Sequence, residues 1–328
     1  MRTAVVILNW NTREYLLKWL PGLIASCEGR DAEVIVADSG STDGSLEMLA
    51  LEFPGIRTVP LGENFGFTGG YNRAVSRILS PGWGQGGTPE FIVLINSDIE
   101  VQPDWLDPLV SWMDSHPKCG ICGPKILSLN DRDSFEYAGA AGGFLDRFGF
   151  PYCRGRVMGH IEKDHGQYDT PASVTWVSGA CLMVRSSLWQ FLGGLDDRFF
   201  AHMEEIDLCW RAAREGQEVW VVPDSAVYHL GGGTLPQKSP FKLFLNYRNN
   251  LLLLDGNLPG KKRWKVLARM IIDFFAAFAY FCKADLKSVK AVYRAHKEFR
   301  KLRTRDTRKD NVDRLDGSLL VCQYLKRK

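Results

Sequence analysis

The chain has 328 residues, of which 45% are hydrophobic, so it can bury a full core in one large domain or two ordinary ones. The eight cysteines are scattered, and only about five apolar residues precede Asn9, too few for a signal peptide, which indicates a reducing cytoplasm. The net charge is +3, but it is unevenly distributed along the chain. Residues 261–328 contain 20 Lys and Arg and 7 Asp and Glu, whereas residues 1–260 contain 21 Lys and Arg and 31 Asp and Glu. The acidic body argues against a nucleic-acid enzyme, and the basic end suits an anionic membrane surface.

Strand and helix patterns alternate along the first 130 residues. Apolar runs predict strands, and apolar residues at helical spacing predict helices. The predicted strands are 3–8, 33–37, 91–95 and 119–127, and the predicted helices are 13–23, 46–53, 71–79 and 104–115. This alternation predicts a mostly parallel sheet with helices on both faces.

Polar residues follow the predicted strands at the points where these end. The turn 38–45 combines Asp38 with Ser, Thr and Gly and leads into a helix. It could hold the base and ribose of a nucleotide, or it could simply cap the helix. The glycine-rich stretch 64–74 and the sequence Asn96-Ser97-Asp98 follow later strands. Since ligands bind at the carboxyl edge of open α/β sheets, we expect these residues to meet there.

The second half of the chain adds further polar clusters. Residues 130–170 are irregular and glycine-rich, typical of an insertion that contacts an acceptor over the site. A strand is predicted at 174–184, and a helix over 205–215 begins with Glu204, Glu205 and Asp207, more acids than the helix dipole requires. Strands at 217–222 and 226–229 end at His229, followed by a glycine loop at 230–234.

Taken together, these motifs resemble the family-2 inverting glycosyltransferases with the GT-A fold, especially their rhamnosyltransferase branch. The resemblance covers about residues 3–254. It rests on several motifs in order: Val5-Val-Ile-Leu-Asn-Trp-Asn11, Asp38-Ser-Gly-Ser-Thr-Asp-Gly44, Asn64-Phe-Gly-Phe67, Ile95-Asn-Ser-Asp98, Gly193-Gly-Leu-Asp196, Phe199-Phe200, Glu204-Glu-Ile-Asp-Leu-Cys-Trp-Arg211 and His229.

The resemblance implies a role for each matching residue. It implies that Asp98 and His229 bind Mg²⁺ or Mn²⁺ on the donor diphosphate, and that Glu205, with Glu204 beside it, is the general base. Two residues depart from the family pattern, because Asn96 replaces the first Asp of D-x-D and Glu205 replaces an Asp. The residues expected to bind the nucleotide sugar are Asn9, Asn11, Asp38, Ser39, Asp43, Asn64, Gly66, Asn72, Asn96 and Ser97. Those expected to bind the acceptor are Asp207, Trp176 and Arg248.

The resemblance also implies the organisation and function of the protein. We expect a GT-A domain at 1–258, with a nucleotide-sugar half at about 1–128 and an acceptor half at about 129–258, and a basic amphipathic helical tail at 259–328. The implied reaction is metal-dependent transfer of L-rhamnose from dTDP-rhamnose to a saccharide acceptor linked to polyprenyl diphosphate, in cell-surface polysaccharide or cell-wall synthesis. The implied location is the cytoplasmic face of the inner membrane.

Two other functions fit parts of the sequence. A sugar-phosphate nucleotidylyltransferase shares a similar sheet but needs a basic, glycine-rich loop near the first strand, and Asn9-Trp10-Asn11-Thr12 is neither. A non-catalytic protein that binds nucleotide sugars or glycans would keep Asp38 but needs no carboxylate at 205. Donor hydrolysis with and without metal separates this binding protein from an enzyme.

The tail has an apolar segment at 266–282 that is too interrupted to span a bilayer. Lys265, Arg269 and Asp273 recur every four residues and share one side of a helix, opposite the aromatic residues of 274–281. This pattern predicts a helix in the membrane interface with its aromatic face down, next to the basic run 283–309, so that 261–309 binds an anionic surface. The alternative is a helical hairpin packed on the catalytic domain or in a homodimer.

Overall fold

The computed structural model describes residues 1–83, 87–137, 139–231, 239–304 and 314–315. Within these residues a nine-stranded sheet and a separate four-stranded sheet are surrounded by helices. The strands are β1 (Thr3–Asn9), β2 (Ala32–Asp38), β3 (Arg57–Pro60), β4 (Phe91–Ile95), β5 (Ile99–Val101), β6 (Cys119–Ser128), β7 (Gly143–Leu145), β8 (Pro151–Cys153), β9 (Arg156–Val157), β10 (His160–Ile161), β11 (Ala172–Ser173), β12 (Cys181–Arg185) and β13 (Glu218–His229). The helices are α1 (Arg13–Cys27), α2 (Ser45–Glu52), α3 (Gly66–Ile78), α4 (Leu106–Ser115), α5 (Ser186–Leu192), α6 (Glu204–Arg214), α7 (Pro240–Asn257), α8 (Trp264–Cys282) and α9 (Leu286–Leu302), with short 3₁₀ turns at Asp197–Phe199 and Gly260–Lys262.

The large sheet is mostly parallel, as predicted. Its strand order is β11-β13-β6-β12-β4-β1-β2-β3, with β5 paired to β13. Strands β1, β2, β3, β4, β6 and β13 run in one direction, whereas β5, β11 and β12 run against them. The carboxyl ends of the parallel strands therefore meet at one edge.

Alternating side chains of the strands explain why helices cover both faces. In β1, Val5 and Ile7 pack with α1, α2 and α4 on one face, whereas Ala4 and Val6 pack with α3, α5, α6 and α7 on the other. All four side chains are buried. A strand buried on both faces lacks polar alternation, which is why β1, β2 and β4 appear in the sequence as continuous apolar runs.

Several predicted elements have different bounds in the structure. Helix α3 begins at Gly66 rather than near 71, and its glycines allow tight packing: a Cβ on Gly70 would lie 2.7 Å from the side chain of Leu8. The strand predicted at 174–184 is limited to β12, because 178–180 form a turn. Residues 130–170 contain the antiparallel sheet β10-β9-β8-β7, and β13 is one strand with an irregular register near residue 222. Most of the glycine loop predicted at 230–234 lies outside the described residues.

The last three helices form one unit with the rest of the domain. Helix α7 packs on α9 through Phe244 and Leu245, and Asp255 lies 3.3 Å from Arg303. The polar stripe predicted on α8 faces inward rather than toward solvent: the Arg269 and Asp273 side chains are buried, and Arg269 Nε donates to Asp273 Oδ1 at 2.7 Å. The aromatic side of α8 faces outward. No helix in the described ranges is long and apolar enough to cross a bilayer.

Candidate active site

The ends of β1 and β2 form the first part of the site. Asn9 and Asp38 are paired in the parallel register, and Asn9 Nδ2 donates to Asp38 Oδ2 at 2.7 Å. The other oxygen, Oδ1, accepts from the backbone N–H of Gly40 and Ser41 at 3.1 and 2.9 Å. Asp38 is buried, so its carboxylate holds the two turns together as well as standing at the predicted nucleotide edge. Ser39 is also buried there, and its Oγ has no hydrogen-bond partner among the described residues.

The two turns are joined by a second set of hydrogen bonds. Asn11 adopts a positive φ of 55°, and its Oδ1 accepts from Thr42 N at 2.7 Å. Asp43 Oδ2 accepts from Arg13 N at 2.9 Å. Burial would raise the pKa of Asp43, but bonds from Ser45 and from backbone N–H groups outweigh burial and lower it. The exposed Asn11 and the ionised Asp43 thus lie on one rigid turn pair that a nucleotide could contact.

At the start of α3, a side-chain hydrogen bond and a tightly packed glycine fix the backbone. Asn64 Oδ1 accepts from Gly66 N at 2.8 Å, and Gly66 has φ +73°, with no room for a Cβ beside Phe200. Asn72 lies one turn further along, and its amide is held by protein: Nδ2 donates to Leu195 O at 2.7 Å, and Oδ1 accepts from Leu195 N at 2.9 Å. Asn72 therefore fixes the segment before α6, and its donor-binding role stays a prediction.

The segment after β4 meets the end of β13, as predicted. Asp98 Oδ1 lies 3.1 Å from His229 Nε2, and Asn96 Nδ2 lies 3.5 Å from the same nitrogen. Ser97 Oγ accepts from a hydroxyl of the β1–α1 turn at 2.9 Å. On its other side, His229 Nδ1 lies 3.5 Å from Glu136 Oε1. Burial would lower the pKa of His229, but the hydrogen bond to Asp98 and the nearby carboxylates of Asp98 and Glu136 outweigh burial and raise it to about 10. A metal ion at Nε2 would have to displace the imidazolium proton, since only the neutral ring is a ligand.

Asp98 and His229 fit two ligands of a metal site that a nucleoside diphosphate would complete. Neighbouring ligands of an octahedral ion at about 2.1 Å are about 3 Å apart, close to the observed 3.1 Å. The part of the chain that the structure describes has no group of three or more His, Cys, Asp and Glu side chains that could hold a metal. Magnesium commonly takes one or two carboxylates from protein and the remaining ligands from phosphate and water.

The first turn of α6 carries two carboxylates with different surroundings. Glu204 is 4% exposed, whereas Glu205 is partly exposed. Oε2 of each makes no hydrogen bond within the described residues. Burial raises the pKa of Glu205 to about 7, and burial followed by the charge of Glu205 raises the pKa of Glu204 well above its usual range. Burial thus favours the neutral form of Glu204 most strongly, and Glu205 can accept a proton near neutral pH.

Glu205 lies close to the segment that carries Asn96. A Cβ built on Gly179 would lie 3.4 Å from Glu205 Cβ, and the next residue, Ala180, accepts from Asn96 N at 2.9 Å. Phe67 of α3 closes the same corner, 3.6 Å from that Cβ position. Glu205 and the segment with Asn96 are therefore connected through the turn 178–180.

A strained turn immediately precedes Glu204 and Glu205. Phe200, His202 and Met203 adopt φ values of 65°, 70° and 71°, in the left-handed region that non-glycine residues rarely adopt. Asn249 Nδ2 donates to the carbonyls of residues 199, 201 and 202 at 3.0, 2.7 and 2.7 Å. Arg248 Nη2 donates to the carbonyl of residue 199 at 2.7 Å. Strain of about 1–3 kcal/mol per residue persists only where neighbours hold it, and these two side chains of α7 do so.

The three residues predicted to bind the acceptor do not line an open site. Asp207 is buried, and its oxygens accept from Arg211 Nε at 2.6 Å and Asn257 Nδ2 at 2.7 Å. Trp176 is buried and donates to a carbonyl of β7 at 3.1 Å. Arg248 is buried in the clamp on the turn. Their interactions are structural, and the acceptor contacts proposed for them have no support in this geometry.

Sequence reasoning missed Glu136 and Asn249. Glu136 comes from the irregular insertion, where no pattern marks it. Asn249 left a signal, because the polar run 246–250 lies between the apolar residues 243–245 and 251–254. Such a run on a buried helix indicates side chains that bind backbone elsewhere.

Comparison with known proteins gives consistent matches. The sequence profile described as "Glycosyl transferase family 2" matches residues 4–189. The chain is 29% identical over 266 residues to an N-acetylglucosaminyl-diphospho-decaprenol L-rhamnosyltransferase of Mycobacterium tuberculosis, covering 78% of this chain and 85% of that protein. It is 26% identical over 263 residues to the dTDP-rhamnosyl transferase RfbF of Shigella flexneri, covering 77% and 79%.

A solved structure shows the same fold. The mannosyltransferase PcManGT from Pyrobaculum calidifontis, in complex with GDP-Man and Mn²⁺, matches with a TM-score of 0.52 and 15% identity, covering 99% of this chain and 79% of that one. The family match spans more than half of the chain, which decides against a nucleotidylyltransferase and against a protein that only binds sugars. The chain belongs to glycosyl transferase family 2 and is a glycosyltransferase with the GT-A fold and rhamnosyltransferase relatives.

Proposed function

We propose that this glycosyltransferase moves L-rhamnose from dTDP-rhamnose, with inversion, to a saccharide linked to polyprenyl diphosphate. The product would enter a cell-surface polysaccharide or the cell wall. Two relatives support the sugar and the acceptor class, since one is named as an L-rhamnosyltransferase for a diphospho-decaprenol saccharide and the other as a dTDP-rhamnosyl transferase.

Glu205 carries the proposal. The residue is partly exposed, its buried Oε2 has no hydrogen-bond partner among the described residues, and burial raises its pKa to about 7. The hydroxyl oxygen of the acceptor forms a bond to the anomeric carbon as the bond to the diphosphate breaks, and Glu205 takes the hydroxyl proton. Such a base contributes most when its pKa lies near the working pH. The nucleoside diphosphate leaves with the electron pair.

Asp98 and His229 would hold a Mg²⁺ or Mn²⁺ ion at the donor diphosphate. When bound, the ion neutralises the negative charge that develops on the leaving diphosphate. A solved structural neighbour contains Mn²⁺ together with a nucleotide sugar. Asn96 lies beside the two ligands, and the turns around Asp38 and Asn11 would position the nucleoside.

A lipid-linked acceptor places the reaction at a membrane surface. Nucleotide sugars are soluble, so we place the enzyme on the cytoplasmic face, bound peripherally through residues 261–309. Residues 305–309 of this segment lie outside the described residues. The net charge of the segment from 261 onward favours anionic lipid.

A donor panel tests the proposal. Thermal shift and then turnover are measured with dTDP-rhamnose, UDP-GlcNAc and GDP-mannose, each with Mg²⁺, Mn²⁺ or EDTA, on a prenyl-diphosphate-linked N-acetylglucosamine acceptor. We expect dTDP-rhamnose to give both the largest shift and the turnover, and EDTA to abolish turnover. Turnover with another sugar nucleotide instead of dTDP-rhamnose would contradict the proposed donor. Full activity in EDTA would contradict the proposed requirement for a metal ion.

A further inference from the structure

Helix α8 exposes a continuous apolar face. Seven large side chains on it are each at least half exposed, and at 100° per residue they fall within an arc of about 120°. They are Trp264 (61%), Leu267 (62%), Ile271 (51%), Phe274 (66%), Phe275 (63%), Phe278 (59%) and Phe281 (59%). Single exposed apolar residues are ordinary, but a contiguous aromatic patch marks a surface that another molecule covers.

The opposite side of α8 is fixed to the protein by polar contacts. Arg269 Nε donates to Asp273 Oδ1 at 2.7 Å, and Arg269 Nη1 donates to Asn250 Oδ1 of α7 at 2.6 Å. Asp273 Oδ2 lies 3.1 Å from His296 Nε2 of α9. The guanidinium of Arg269 also lies 3.8 Å from the ring centre of Phe150. The helix thus turns its charged side inward and its aromatic side outward, the reverse of an ordinary surface helix.

Exposed basic side chains lie at both ends of α8 and on the neighbouring helix α9. Lys261 and Lys283 flank the two ends of α8 and are exposed. The adjacent helix α9 exposes a run of basic side chains: Lys287, Lys290, Arg294, Lys297, Arg300 and Lys301. Aromatic residues between basic ones are typical of helices that lie in the interface of an anionic membrane.

We propose that the aromatic face of α8 inserts into the interface of an anionic bilayer while the inward contacts of Arg269 and Asp273 hold the catalytic domain on the helix. The inference rests on the proposed lipid-linked acceptor for its purpose, but the surface itself is defined by exposure and charge. A second copy of the chain fits less well, because the basic residues of two copies would repel each other.

The test uses the full chain, since a chain ending near Gly260 would leave buried partners such as Asp255 and Asn250 unpaired. Co-sedimentation is measured at low salt with phosphatidylcholine vesicles containing about 30% phosphatidylglycerol, and with phosphatidylcholine alone. The variant is Phe275→Glu/Phe278→Glu. Its matched control is Leu51→Glu/Phe191→Glu, which places the same charges at residues 79% and 71% exposed on other helices. Turnover is then compared on a short-chain, water-soluble acceptor and on the same acceptor with a full polyprenyl chain in vesicles.

We expect wild type and the control to bind anionic vesicles, with affinity falling as salt rises. The α8 variant should bind about tenfold or more weakly. It should keep turnover on the soluble acceptor and lose it on vesicles. Wild type that ignores anionic vesicles, or an α8 variant that binds them like the control, overturns the proposal. If wild type is dimeric by light scattering and the α8 variant monomeric, the face is an interface between copies. If the wild type binds vesicles but does not transfer rhamnose, the membrane-binding surface is supported and only the proposed function is contradicted.

Discussion

Glu204 and Glu205 are neighbours in the chain with opposite exposure, and this separates their roles. Glu205 is the more exposed of the two residues, although its Oε2 is buried, and we therefore assign the contact with the acceptor hydroxyl to Glu205 rather than to Glu204. We expect Glu205→Gln to lower kcat about 100- to 10,000-fold while donor affinity is retained, because the amide keeps the shape but accepts no proton. Glu204→Gln should be milder. Steady-state kinetics and calorimetric donor binding check this, and a dead Glu204→Gln beside an active Glu205→Gln would reverse the assignment.

The raised pKa of Glu205 predicts opposite pH trends for activity and stability. Activity should rise with pH through about 7, because the base must be ionised. The folded protein holds the Glu205 proton up to about pH 7, whereas the unfolded chain loses it near 4.5, so the free energy of unfolding falls as pH rises between these values. Above pH 7, Glu205→Gln should therefore be more stable than wild type by about 1–3 kcal/mol, and below 4.5 the two should be equal. Thermal unfolding against pH measures the difference; equal stability at pH 8 would contradict it.

Asp98 is the strand-end carboxylate next to His229, and its loss should affect metal and nucleotide together. We expect Asp98→Ala to abolish transfer and to weaken binding of the nucleoside diphosphate in Mn²⁺ or Mg²⁺, because it removes the charged ligand. His229→Ala should weaken the same binding less. Each variant is titrated with the nucleoside diphosphate in the presence of metal and in the presence of EDTA. If the affinity of both variants is equally weak under the two conditions, Asp98 and His229 act on nucleotide binding without the metal ion.

At the level of elements, the turn before α6 is held by two side chains of α7, and Asn249 makes more of these contacts than Arg248. Asn249→Asp keeps the size but removes the two N–H groups that the three carbonyls share and places a carboxylate against them, so we expect a loss of about 2–4 kcal/mol in the free energy of unfolding and a lower kcat. Asn250→Asp is a matched control, because this buried amide of the same helix also donates to a backbone carbonyl, that of Gly149, and does not touch the turn. Denaturant unfolding and kcat are measured where both variants are folded. A normal kcat in Asn249→Asp would show that the turn holds without the clamp.

Strand-end residues were predictable because they depend on local sequence. Asn9, Asp38 and Asp98 each follow an apolar run, and parallel strands bring such ends to one edge. The small sheet within 130–170 was not predictable, since strands of two or three residues show no periodicity. Glu136 reaches His229 from that region through tertiary packing alone. For α8, the pattern showed two faces, but the inward one was decided by Asn250 and His296, which are distant in sequence.

Across the whole molecule, the acidic body and the basic end are joined by ion pairs that each have one buried partner. Asp255 lies within 3.5 Å of Arg263 and 3.3 Å of Arg303, and Arg248 lies 3.5 Å from Glu298 of α9. The same Arg248 donates to the turn before α6. The C-terminal helices therefore support the turn before α6 and pack as part of the catalytic domain.

Substitutions on the two sides of α8 should therefore affect the stability of the protein to very different extents. Asp273 is 1% exposed, and Asp273→Ala leaves the buried Arg269 without its carboxylate, so we expect a loss of about 3–5 kcal/mol in the free energy of unfolding. Phe278 is 59% exposed, and Phe278→Ala should change stability by less than about 0.5 kcal/mol. Denaturant unfolding of the two variants measures this contrast in solution. If Phe278→Ala is destabilised as much as Asp273→Ala, the aromatic face is already covered by protein in solution and is not available to lipid.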